Sequence, residues 1–167
     1  MILRAAKILL VLCAGLLGLV SGFDNIFDYD TNFEVVRHVA SMDTTNADAA
    51  MMARAIRSDT LHRLIYAGVI ATELAYGALC LYGALRLFGA RRDDSARFEA
   101  AKDYAIGGLA LGFALYFFGF MIIGGEWLQM WRSLDWNFQQ PAFRFIGCLG
   151  FILIFLAMPE PADGARR

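Results

Sequence analysis

The sequence predicts an all-α protein: a four-helix transmembrane bundle with a partly helical outer loop between its first and second helices. Three observations carry this expectation. Apolar residues make up 59% of the 167 residues and charged residues only 19%. The apolar residues are gathered into blocks, Ile8–Phe23, Leu64–Leu85, Tyr104–Gly125 and Phe145–Met158, which hold one charged residue between them, Glu73. Small residues recur inside the blocks at helical spacing, as helices that pack closely in a membrane require. The chain reads as one integral membrane domain, 1–167, with the lipid bilayer as its first partner.

A bilayer-spanning helix needs about 20 apolar residues, with about 17 as the lower end. The first span, about 5–24, passes if Lys7 snorkels to the interface. Arg4 and Lys7 ahead of an apolar run, with Val20-Ser21-Gly22 behind it, also resemble a signal peptide. The ladder Ala14, Gly18, Gly22 favours a retained, packed helix instead. Leu12 is too large for the position that precedes the cysteine of a lipobox. The second and third spans, 64–87 and 104–127, pass easily; Gly108, Gly112, Gly119, Gly124 and Gly125 would let the third approach its neighbours. The fourth, 142–158, is short and needs Arg144 to reach for the interface. Pro141 stands where that helix begins, a permissive place for a residue without an N–H.

The outer loop, 24–63, begins with Asp28, Asp30, Asn32 and Glu34 at alternate positions, the opening of an EF-hand loop. Phe33 and Val39 stand where that loop needs Gly and Glu, so the calcium reading fails. Thr31-Asn32-Phe33-Glu34 fits a capping box, which predicts a helix over 32–41 with Phe33, Val36, Val39 and Ala40 on its apolar face. Ser41 to Asn46 are turn and N-cap residues. From Asn46 a helix is expected to run through Met51, Ala55 and Leu61 straight into the second span.

Charge sets the orientation. With the N-terminus inside, the short inner segments hold nine Lys and Arg and the longer outer loops six. Both termini are therefore expected in the cytoplasm, in a bacterial inner membrane. A net charge of −1 and the lack of a basic run give no reason to expect nucleic acid as a partner. Cys13, Cys80 and Cys148 all fall within spans and read as packing residues.

Glu73 is the residue to single out. A carboxylate at mid-membrane costs at least about 2.5 kcal/mol on insertion scales, so it should face the bundle interior. Two readings are open: an interhelical hydrogen bond to a Tyr or Thr, or handling of a proton or a polar ligand group. Tyr66, Val69, Ile70, Glu73, Gly77 and Cys80 form one stripe, expected to point at the glycine-rich third helix. His38 and His62 lie in or beside the outer loop, not at membrane depth, so they cannot hold a haem between helices, and they read as surface or helix-end residues. Glu126, Trp127, Trp131 and Trp136 suit the membrane interface. No cofactor, metal or catalytic constellation is expected.

"NFEVVRHVASMDTT", "LHRLIYAGVIATE" and "GGEWLQMWRSLDWNFQQPAFRF" together resemble a bacterial family described only as predicted small integral membrane proteins. The first motif contributes His38, Ser41, Met42, Asp43, Thr44 and Thr45. Phe138 departs from the family pattern, which has Gly after the Asn, so the resemblance does not give the geometry of the last outer turn. It implies four membrane helices and no established activity. The expected function is a non-catalytic accessory subunit packed against a larger membrane complex, such as a respiratory or electron-transfer assembly. The alternative is a binding or transport protein for a lipid, quinone or other small amphiphile, with Glu73 as polar anchor. An enzyme is the least supported class.

Overall fold

The computed structural model describes residues 1–160; Arg166 and Arg167, counted in the charge balance, lie outside them. The helices are α1 (Ile2–Phe27), α2 (Tyr29–Ser41), α3 (Ala49–Met52), α4 (Asp59–Gly89), α5 (Ser95–Ala100), α6 (Asp103–Ala114) and α7 (Gln139–Ala157). From Leu115 to Trp127 the helix begun by α6 widens to π geometry, closing with Leu128 N–H donating to the Ile123 carbonyl five residues back at 2.9 Å. Four helical stretches are long and apolar enough to cross a membrane: Ile2–Phe27, Asp59–Arg92, Ser95–Trp127 and Gln139–Ala157.

Helix α4 is the centre of the bundle, and glycine decides how closely its neighbours approach. Against α1, a Cβ on Gly18 would stand 2.5 Å from the Tyr76 ring and 2.9 Å from the Glu73 carbonyl oxygen. Against α6, a Cβ on Gly83 would lie 2.5 Å from the Ala105 nitrogen, and one on Gly108 would lie 2.7 Å from Cys80 Sγ. Tyr76 is wholly buried, its ring between Gly18 and Gly112. Apolar helices gain little by leaving lipid, so close van der Waals contact of this kind is what holds them together. Of the three cysteines only Cys80 is packed inside; Cys13 and Cys148 are exposed.

At the end where the N-terminus lies, the bundle is closed by buried charge. Arg4 and Lys7 are each 4% exposed and Lys102 is 2% exposed. Arg4 Nε and Lys7 Nζ pair with the two oxygens of Glu160, each at 2.9 Å. Lys102 Nζ donates to Glu99 at 2.8 Å and to the Met158 carbonyl at 2.9 Å. Lys7 therefore does not snorkel: a carboxylate and the Met158 carbonyl satisfy it inside. Burial alone would raise the Glu160 carboxyl, but Lys7 and Arg4 outweigh it and hold the group below its ordinary value.

The opposite end is a cap. Helix α2 follows α1 after a single break at Asp28 and starts at Tyr29, with no side-chain cap. The capping box does not form: Thr31 lies within the helix, and the Glu34 carboxylate is engaged by Arg37 and by His38 at 3.3 Å. Hydrogen bonding to Arg37, first among the causes, holds the Glu34 carboxyl below its ordinary value. Alternate residues of a helix turn by about 200°, so Asp28, Asp30, Asn32 and Glu34 do not converge. Nor does a helix run from Asn46 into α4. Asp48 caps the single turn α3, the chain then doubles back so that Ile56 N–H donates to the Ala40 carbonyl at 2.8 Å, and Ser58 starts α4 afresh by accepting from Leu61 N–H.

Candidate functional site

Near the cap, α1, α2, α4, the π-helical stretch and the start of α7 surround a cavity of about 230 Å³. Glu73, 3% exposed, lies in its wall with Tyr66, Asn25 and Tyr116. Each carboxylate oxygen accepts one hydrogen bond: Oε2 from Asn25 Nδ2 at 2.6 Å and Oε1 from the Tyr116 hydroxyl at 3.0 Å. The Tyr66 hydroxyl donates to the Asn25 backbone carbonyl at 2.8 Å, with Asn25 Oδ1 3.1 Å away. In this arrangement the amide oxygen faces Tyr66 and the NH₂ faces Glu73. Three helices thus converge on one carboxylate, which is how a charged group is tolerated in a membrane protein.

Local structure explains the placement. Asn25 stands in the last turn of α1, where an amide meets the level at which α2 turns away. Tyr116 stands at the change from α to π geometry, a widening that is often found at functional sites because it redirects side chains out of the regular helical register. Phe120, four residues on, lines the same cavity, and Tyr116 stacks on Phe145 of α7 with ring centres 4.4 Å apart. Phe138 also borders the cavity. Its backbone lies at φ −94°, a conformation open to any residue, so this turn does not need glycine.

A second, almost wholly apolar pocket of about 190 Å³ adjoins the first. Val35, Val36, Val69 and Phe120 belong to both walls. The predicted apolar face of α2 is therefore used, with Phe33 and Ala40 buried and Val36 and Val39 bordering the pockets. Among the described residues the buried Asn32 amide nitrogen has no hydrogen-bond partner, and Asn32 lines the first cavity.

The stripe on α4 divides where a single face was expected. Tyr66 reaches Asn25 on α1, a Cβ on Gly77 would lie 2.8 Å from the Leu19 nitrogen of α1, and Glu73 and Cys80 touch the third span. The stripe faces the seam between two helices, which is why Glu73 draws partners from both. Asn25 and Tyr116 are not singled out from the sequence, and Asn32 is named only within the calcium-loop and capping patterns, although an amide or a hydroxyl at the edge of an apolar block is a signal for them.

The motif residues at the cap form a separate cluster. The His38 ring stacks on Trp136 with centres 4.4 Å apart, and its Nδ1 lies 2.9 Å from both oxygens of Asp43. Met42 ends α2 in the left-handed conformation, φ 54°, with its side chain buried. Ser41 donates to the His38 carbonyl and Thr45 to the Met42 carbonyl. Thr44 bonds Ser133 at 2.8 Å, and the Ser133 hydroxyl also accepts from Trp136 N–H at 3.0 Å. Trp127 and Trp131 are exposed, as is Glu126, and Arg54 lies over the Trp127 ring at 4.5 Å. The two sequence motifs thus fold into one interlocked cap. His62 is not at the surface: it is 3% exposed and bonds the Ile56 carbonyl at 2.8 Å, remote in role from His38. Among the described residues, no group of three or more His, Cys, Asp or Glu could hold a metal ion.

A family model described as "predicted small integral membrane protein (DUF2165)" matches residues 3–159. No curated protein and no solved structure matches the chain.

Proposed function

The chain belongs to this family of predicted small integral membrane proteins, and we propose that it binds a small amphiphile drawn from the bilayer, holding its polar group at Glu73. The observation that carries this reading is the pairing of the two pockets. One has a buried carboxylate and an unpartnered amide in its wall; the other is apolar, and four residues border both. Ligand sites are commonly concave and mostly apolar, with a few polar groups to fix orientation. The test is native mass spectrometry of protein released gently from its own membranes. Wild type should carry a small molecule of defined mass. Val69→Phe, which fills the shared wall, should emerge bare while remaining folded. Wild type that emerges bare and is not stabilised by any added lipid extract refutes the reading.

A second reading, the accessory subunit of a larger membrane complex, is favoured by a different observation. Gly68, Gly107 and Gly147 have nothing within 4 Å of where a Cβ would stand, so three helices keep small residues on faces that this chain does not cover. Co-migration with a stable large assembly supports that reading, and migration as a bare small protein opposes it.

A further inference from the structure

Resting on the binding reading above, we propose that the group held at Glu73 is a cation, the ammonium head of a cationic amphiphile whose tail lies in the adjoining apolar pocket. The charge of the cavity points there. Its wall carries two carboxylates, Glu73 and the exposed Asp24, and among the described residues none that lines it is Lys, Arg or His. Of the basic residues nearest in sequence, Arg37 is engaged by Glu34, Arg63 lies over the Phe33 ring, and Arg144 is exposed and does not line the cavity.

Both oxygens of Glu73 are engaged from within the bundle. Asn25 Nδ2 donates to Oε2 at 2.6 Å. Tyr116 donates to the other oxygen. An ionised carboxylate buried without a counter-charge is costly, and the cavity beside Glu73 is where a positive group would relieve that cost. The wall is also rich in aromatic residues: Tyr116, Phe120, Phe138 and Phe145 border the same cavity, and aromatic faces attract ammonium groups through their quadrupoles. The unpartnered Asn32 amide offers one further hydrogen bond to an oxygen carried beside the cationic centre. An anion in this cavity would meet two like charges and no donor other than Asn32, Asn25 and the hydroxyls.

The experiment compares three ten-carbon probes of different head charge against the full chain in neutral maltoside micelles at pH 8. Decyltrimethylammonium, decanol and decanoate are titrated, with binding followed calorimetrically and by melting temperature. The cation should bind about tenfold or more tightly than the other two, the scale of one charged contact. Glu73→Gln should remove that preference while leaving decanol binding unchanged. Asp24→Asn, at an exposed position, should weaken the cation severalfold and so tests the idea even if Glu73→Gln fails to fold. Decanol or decanoate binding as tightly as the cation overturns the charge assignment but keeps the amphiphile reading. Cation affinity unchanged in both variants also overturns the charge assignment. No binding of any probe overturns both.

Discussion

The strongest test of the packing is a pair of identical substitutions at two glycines. At Gly18 an added Cβ would meet the Tyr76 ring at 2.5 Å and the Glu73 carbonyl oxygen at 2.9 Å. The ring is wedged against Gly112 and cannot withdraw, and the carbonyl belongs to the backbone of α4. Helices α1 and α4 must therefore separate by several tenths of an ångström. Overpacking of this kind costs about 1–3 kcal/mol. At Gly68 nothing lies within 4 Å of the new atom, so Gly68→Ala should instead stabilise α4 by about 0.5–1 kcal/mol, the ordinary helical preference of Ala over Gly. One chemical change is thus expected to act with opposite signs at two sites. Thermal unfolding in maltoside micelles, at about 2–4 °C per kcal/mol for a chain of this size, separates them. A Gly18→Ala variant as stable as wild type, or a Gly68→Ala variant equally damaged, would refute the account of the α1–α4 seam.

The remaining predictions concern the two ends of the bundle. Cysteine labelling should place residues 28–58 and 128–138 on one face of the membrane and residues 90–100 on the other, the latter in the cytoplasm by its basic residues; accessibility of 90–100 together with the cap overturns the topology. Glu160→Gln should cost about 3–5 kcal/mol at neutral pH, because it strands the buried Arg4 and Lys7. Since the Glu160 carboxyl is held below its ordinary value of 4.5, its contribution is complete above that pH and is lost as pH falls through the lowered value. Acid unfolding of the variant should accordingly be flatter than that of wild type, and an equally steep limb speaks against the lock. Ser133→Ala should cost about 1–3 kcal/mol by leaving Thr44 and the Trp136 N–H without their partner. It should also speed proteolysis within residues 42–58, and unchanged cleavage would mean the two loops are not joined there.

How much was legible in the sequence varied with the range of the interaction. Membrane spans follow from local apolar content: the blocks 64–87 and 104–127 fall inside the longer helical stretches Asp59–Arg92 and Ser95–Trp127, and the ladder Ala14, Gly18, Gly22 is buried as its spacing implied. Local signals failed where another partner, near or far in the chain, competed for the same group. Thr31 and Glu34 satisfy the capping pattern, yet Arg37 takes the carboxylate and α2 begins at Tyr29, three residues before the expected start. Met51, Ala55 and Leu61 keep helical spacing, yet the Ile56–Ala40 bond folds the chain back and Ser58 starts a new helix. Lys7 had a clear local escape to the interface and is instead claimed by Glu160, 153 residues away.

The candidate site shows the same division. The sequence by itself determined that this is a membrane protein with four spans and that Glu73 must face inward, because both follow from the transfer cost of single groups into lipid. Only the tertiary structure decided which groups meet that carboxylate. Asn25 comes from the end of α1, Tyr116 from the point where the third span widens, and Tyr66 bonds Asn25 in turn. It also decided that two pockets adjoin behind them, since a cavity is bounded by helices whose mutual approach is set by glycine contacts between segments far apart in the chain.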